Sequence, residues 1–147
     1  MKNFLLKKAC EEDLKDIFSI EKTVQIEPWS EKSILESLKA KNSTFWCLVR
    51  KRDRLLIGYV CFRIVLDELY ILNIAISKKW QRKGLGTRIM RYLCKYATLK
   101  KIDRIVLDVH KSNSQAVLFY LKYGFKFAID PKKFKGLHYI MELKITN

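Results

Sequence analysis

The 147-residue chain has few of the residues that break or staple a fold. Five glycines and two prolines exclude collagen-like, low-complexity and linker-rich organisation. None of Cys10, Cys47, Cys61 and Cys94 forms a CxxC pair, and only His110 and His138 are available to complete a metal set. No metal is therefore expected. Cys47 and Cys61 lie in the apolar runs "FWCLV" and "YVCF", where they act as small hydrophobes. That suits a reducing compartment. "MKNFLLKKACEED" has no apolar stretch of signal-peptide length, and nothing later approaches a membrane span. A cytoplasmic protein with no membrane partner is expected. Acids are scarce as well: 15 against 30 lysines and arginines, a formal charge of +15. Such a charge attracts nucleic acid, anionic membrane or a phosphate-rich cofactor, and does not choose among them.

What is present suffices for a core. Hydrophobic residues make up 49% of the chain and aromatics 12%, consistent with a single domain over residues 1–147. "NFLLKKA" is a short first strand. "EEDLKDIFSIEKTV" places Leu14, Ile17, Phe18 and Val24 on one helical face. Pro28 interrupts, and Ser30 caps a second helix, "SEKSILESLKA". "STFWCLVRK", "RLLIGYVCFRIVL" and "ELYILNIAI" are three strands with short breaks, hence an antiparallel meander. "LGTRIMRYLCKYATLK" is amphipathic, with Leu85, Ile89, Leu93 and Tyr96 on one side. "RIVLDV" is a strand, and "NSQAVLFYLKYG" is a helix closed by Gly124. "FKFAI" and "LHYIMELKI" complete about seven strands. A strand–helix–strand unit between parallel neighbours crosses over right-handed. The expected class is mixed α/β: a mostly antiparallel sheet, parallel at its fourth and fifth strands, with helices on both faces.

"KWQRKGLGTRIM" joins the fourth strand to a helix. The first amides of a helix lack intrahelical acceptors and carry a positive dipole, which suits anionic oxygens. Gly84 and Gly86 permit close approach and positive φ, and Gln81, Arg82, Lys83 and Arg88 supply donors. A phosphate cradle follows. It is not a P-loop, because the spacing is wrong. It is not a complete dinucleotide loop, because Ile89 stands where a third glycine is needed. "QRKGLG" does match Q/R-x-x-G-x-G/A in full.

Its context is "LDELYILNIAI" and "WQRKGLG", then "LDVHKSN", Ala116-x-x-x-Tyr120 and "YGF", with "EPWSEKS" near the N-terminus. In these motifs Leu66–Phe125 resembles the acetyl-CoA-binding half of the GCN5-related N-acetyltransferases (GNAT). It is most similar to their ribosomal-protein-alanine subgroup. The resemblance covers nearly the whole chain in element order and implies the GNAT fold. It implies that Arg82, Lys83, Gly84, Leu85, Gly86 and Thr87 seat the pyrophosphate of acetyl-CoA. It implies that the pantetheine arm pairs with the backbone of Ile74, Ala75 and Ile76, where the fourth and fifth strands splay, and that Asn113 bonds the cofactor. Asn113 also stands where a helix N-cap belongs.

Acetyl transfer to an amine needs a base for the ammonium, a donor for the thioester oxygen and an acid for the leaving thiolate. The resemblance makes Tyr120 the acid, although the stripe Ala116, Phe119, Tyr120, Tyr123 by itself is a core pattern. It makes Asp108 the base, one methylene shorter than the Glu usual in the subgroup, with a bridging water to cover the gap. Strand alternation places Val106, Asp108 and His110 on one face, and desolvation there would raise a carboxylate pKa. Tyr70 is a candidate to share the role, and Glu68 a weaker one. The hairpin "DPKKFKGLHYIMEL" lacks the tyrosine pair and acidic stretch of many members, and His138 within it is expected to be structural. The implied activity is acetyl-CoA-dependent acetylation of a protein N-terminus, with ribosomal protein S18 as acceptor and a ribosomal setting that suits the charge. The alternatives are a lysine or small-amine acceptor, or a basic RNA-binding module. Against the module, the aromatics lie in apolar runs and no RNA-binding signature is present.

Overall fold

The computed structural model describes residues 3–133 and 135–145. The strands are β1 (Phe4–Lys8), β2 (Thr44–Arg50), β3 (Leu56–Val65), β4 (Glu68–Ile76), β5 (Arg104–His110), β6 (Lys126–Phe127) and β7 (His138–Lys144). The helices are α1 (Leu14–Val24), α2 (Glu31–Lys39), α3 (Leu85–Leu99) and α4 (Ser114–Tyr123). One seven-stranded sheet has the order β1-β2-β3-β4-β5-β7-β6. Among the described residues only β4 and β5 pair in parallel, through the α3 crossover. The mixed, mostly antiparallel sheet expected from sequence is thus present.

Each element ends where local chemistry ends it. Ser30 Oγ accepts the Ser33 amide at 3.1 Å and starts α2. Gly124, at φ 124°, terminates α4. β6 is shorter than expected, because the chain turns at Asp130, whose carboxylate accepts the Lys132 amide at 2.9 Å. The expected hairpin around it includes Phe134, which lies outside the described residues.

Two clusters flank the sheet. One packs Ile17, Ile20 and Ile34 of α1 and α2 against Phe45, Cys47, Tyr59, Cys61 and Ala75. The other packs Leu85, Ile89, Met90, Leu93 and Ala97 of α3, with Tyr120 of α4, against Leu48, Phe62, Leu69 and Ile71. Fully burying each large aliphatic side chain stabilises by roughly 1.5–3 kcal/mol. The α3 stripe is wider than its sequence period suggested, since Met90 and Ala97 join it. Tyr96 sits at its edge against Trp46 and Phe62, with ring centroids 5.1 and 5.5 Å away.

Candidate active site

The site is built where the sheet fails to close. Parallel pairing of β4 with β5 runs from Glu68↔Arg104 to Ile71↔Leu107 and stops. The β3–β4 register shifts at the same place, between Cys61↔Asn73 and Phe62↔Ile71, so Leu72 is an extra, bulged residue. Beyond it β4 keeps β3 on one edge and has an unpaired edge on the other. Ser77 donates its amide to Ile57 O at 2.8 Å on the β3 side. Backbone groups alternate along a strand, so Ala75 also faces β3, while Ile74 and Ile76 face the opening. Gln25 Nε2 and Gln81 Nε2 reach the carbonyls of Ile74 and Ile76, each at 2.9 Å. The three backbone positions expected to pair with a ligand therefore reduce to two. Ala75 instead buries its methyl among the α1 and α2 residues.

The glycine loop lies at the end of that edge. Gly84 is the N-cap of α3 with φ 81°, and a Cβ built on it would meet nothing within 4 Å. Its backbone is left-handed and its outer side is open, as an anion cradle requires. Gly86 is different. Its φ is not positive, and a Cβ there would rest 3.5 Å from the Phe119 ring. Leu85 turns its side chain into the core, so its place in a cradle is through the amide. Arg82 and Lys83 are exposed beside the loop, Arg82 at φ 62°, and Thr87 is half-buried in the first turn. Of two further expected donors, Gln81 bonds Ile76 O and Arg88 is buried. Open helix-start amides flanked by exposed cations fit a pyrophosphate.

On the α1 side of the splay is a cleft of about 200 Å³. Its lining includes Asp108 and His110 of β5, Tyr120 of α4 and Asn113 at its N-cap, His138 of β7 and Glu27 of the α1–α2 loop. Asn113 Oδ1 caps α4 by accepting the Ala116 amide at 3.2 Å while its side chain lines the cleft. Tyr120 is 7% exposed, between the rings of Phe119 and Phe125. Burial raises its pKa well above the ordinary phenol value, and the Asp108 charge adds to the rise. Asp108 itself is exposed, so the desolvation expected for it is not there. Tyr70 is not brought into the cleft. It pairs with Val106, two residues short of Asp108, and the bulged Leu72 lines the cleft instead. Tyr70 donates to Glu68 at 2.6 Å, and Glu68 pairs with Arg104, which also holds Glu142 at 2.7 Å. Glu68 is likewise committed to that network, away from the cleft.

The Acetyltransferase (GNAT) family model matches residues 10–125, which spans the open edge, the loop and the cleft. The chain belongs to the GNAT family. It is an N-acetyltransferase. Among similar proteins, the Salmonella typhimurium ribosomal protein bS18-alanine N-acetyltransferase is 28% identical over 116 residues, 79% of this chain and 76% of that one. The crystal structure of the Escherichia coli ribosomal-protein-S18-alanine N-acetyltransferase superposes with TM-score 0.83 at 24% identity, covering 98% of this chain and 95% of the other. The Thermoplasma acidophilum PaiA N-acetyltransferase, solved with coenzyme A, superposes at 0.81 with 22% identity over 96% and 98%. These two structural likenesses bear on the fold, which is that of the GNAT proteins.

This GNAT chain also carries site residues that the motifs did not point to. Glu21 of α1 is 1% exposed and lines the cleft floor. Its signal was present in "IFSIEKTV", where a carboxylate falls on the apolar stripe of Ile17, Ile20 and Val24. His138 Nε2 lies within hydrogen-bond distance of Glu27 Oε1, at 2.7 Å, across the cleft mouth, and His110 stacks edge-on against His138 at 5.3 Å. His138, expected to be structural, therefore stands at the entrance. Residues 111 positions apart left no local trace of that pairing.

Proposed function

We propose that this enzyme transfers the acetyl group of acetyl-CoA to the N-terminal α-amine of a protein, with an alanine-starting chain such as ribosomal protein S18 as acceptor, in the cytoplasm. The observation that carries this is the splay after Ile71, with Tyr120 beneath it and the Gly84 loop at its end. A thioester donor supplies an activated carbonyl and a thiolate leaving group. The amides of Gly84, Leu85, Gly86 and Thr87, with Arg82 and Lys83, hold the pyrophosphate. The Ile74 and Ile76 edge takes the pantetheine arm as an added strand, and an edge amide polarises the carbonyl. Asp108 accepts the ammonium proton, directly or through water. Tyr120, still a phenol because its pKa is raised, returns a proton to the thiolate. Asn113 lines the wall between them. Carboxylates of Glu27 and Asp108 give the cleft an acidic side within a chain of charge +15, which suits a cationic amine. The curated relative's acceptor is a protein N-terminus, which supports the same class here.

The test is acetyl-CoA turnover against Ala-, Ser- and Met-starting peptides, lysine peptides with blocked N-termini, and polyamines. Preferred turnover of the Ala-starting peptide is expected. Exclusive turnover of lysine or polyamine would reassign the acceptor. No turnover, with salt-sensitive RNA binding, would reject the activity.

A further inference from the structure

We infer that Glu21 is a positioning residue that holds the acceptor side and the donor side of the cleft in one frame; this rests on the function proposed above. A carboxylate is costly to bury unless its lone pairs are met. Glu21 meets them with neutral donors from three different elements. Tyr59 of β3 donates its hydroxyl to Oε1 at 2.6 Å, and Asn73 of β4 donates Nδ2 to the same oxygen at 2.9 Å. The Trp29 amide, in the α1–α2 loop, donates to Oε2 at 2.9 Å. The strand arm continues. Asn73 Oδ1 accepts Gln25 Nε2 at 2.7 Å, and Gln25 Nε2 also donates to Ile74 O at 2.9 Å. One oxygen thus serves the open strand edge just after the bulge, where the donor substrate is placed. The other serves the loop that carries Glu27 and Trp29 to the acceptor mouth. Burial raises the Tyr59 pKa, and the bond to Glu21 raises it further, so Tyr59 remains a donor at neutral pH.

The two arms make separable predictions. An amide in place of the carboxylate retains one acceptor oxygen and presents an NH2 group. With the amide oxygen in the Oε1 place, Tyr59 and Asn73 both keep their acceptor, but the NH2 group then faces the Trp29 N–H, which cannot become an acceptor. Glu21→Gln should therefore release the loop and spare the strand. The Michaelis constant for an Ala-starting peptide should rise about tenfold or more, and the acetyl-CoA dissociation constant should stay within about twofold. Gln25→Met removes both donations on the strand arm and should give the reverse: weaker acetyl-CoA binding and lower kcat, with the peptide constant little changed. Both variants are measured by steady-state kinetics and calorimetry. A role confined to stability would move both constants together with the melting temperature, and that result, or no change in either, would overturn the inference. If Glu21→Gln does not fold, hydrogen exchange in the wild type decides. Acetyl-CoA should slow exchange of the Trp29 amide through the shared carboxylate, and an unaltered rate would overturn the inference. Absence of wild-type peptide turnover would instead reject the proposed function, leaving the exchange measurement to judge Glu21.

Discussion

At the scale of single residues the proposal stands on Tyr120, Asp108 and Gly84. Tyr120→Phe removes the hydroxyl and keeps the ring packing against Phe119 and Phe125. It should lower kcat by about 10²-fold or more with little change in acetyl-CoA affinity, as steady-state kinetics will show. Its folded pKa lies above its unfolded value, so the protonated form is favoured by folding. The associated stability is fully present below the unfolded pKa of about 10 and is lost only as pH rises through the folded value. The pH profile of kcat should accordingly show no alkaline loss attributable to Tyr120 below about pH 10. Gly84→Glu places a like charge in the cradle and a side chain at φ 81°. Acetyl-CoA at a hundred times its dissociation constant should stabilise wild type by about 2.7 kcal/mol. That thermal shift should vanish in the variant. The roles proposed for Tyr120 and Asp108 rest on motif positions. The burial of one and the exposure of the other were not legible there, because neighbours far along the chain set both.

At the scale of elements, strand and helix identities were legible almost throughout. Alternation in "ELYILNIAI" and the 3.6-residue stripe of α3 come from local geometry. What escaped was the β4 bulge. One extra residue at Leu72 changes which face the following side chains take, and it coincides with the end of β4–β5 pairing. Tyr70 was a candidate beside Asp108 through the family resemblance, and the parallel register that sets it against Val106 is not written in the sequence. Gly58 of β3 shows the same region from behind. A Cβ there would sit 2.8 Å from the Ala75 carbonyl oxygen and 2.7 Å from Ile76 Cδ1. The side-chain tip can move, but the backbone oxygen belongs to the strand that carries the site. Gly58→Ala should destabilise by about 1–3 kcal/mol in chemical denaturation and weaken acetyl-CoA binding at the same time.

For the whole molecule, the charge of +15 acts through the exposed cations around the Gly84 loop. Acetyl-CoA association should weaken as ionic strength rises from 0.05 to 0.5 M, on the order of the Debye-length change, and stopped-flow binding would show it. By itself the amino-acid sequence determined the order of elements, the family and the glycine loop at the start of α3. Each of these is written in near neighbours: hydrophobic period, cap residues and glycine spacing. The tertiary structure decided which backbone groups of β4 face the opening, which tyrosine shares the cleft with Asp108, and that Glu21, Asn73 and Gln25 form one network. Those depend on strand register and on contacts between residues 48 to 111 positions apart. The closing of such long loops is specified by packing of the whole core and leaves no periodic mark along the chain.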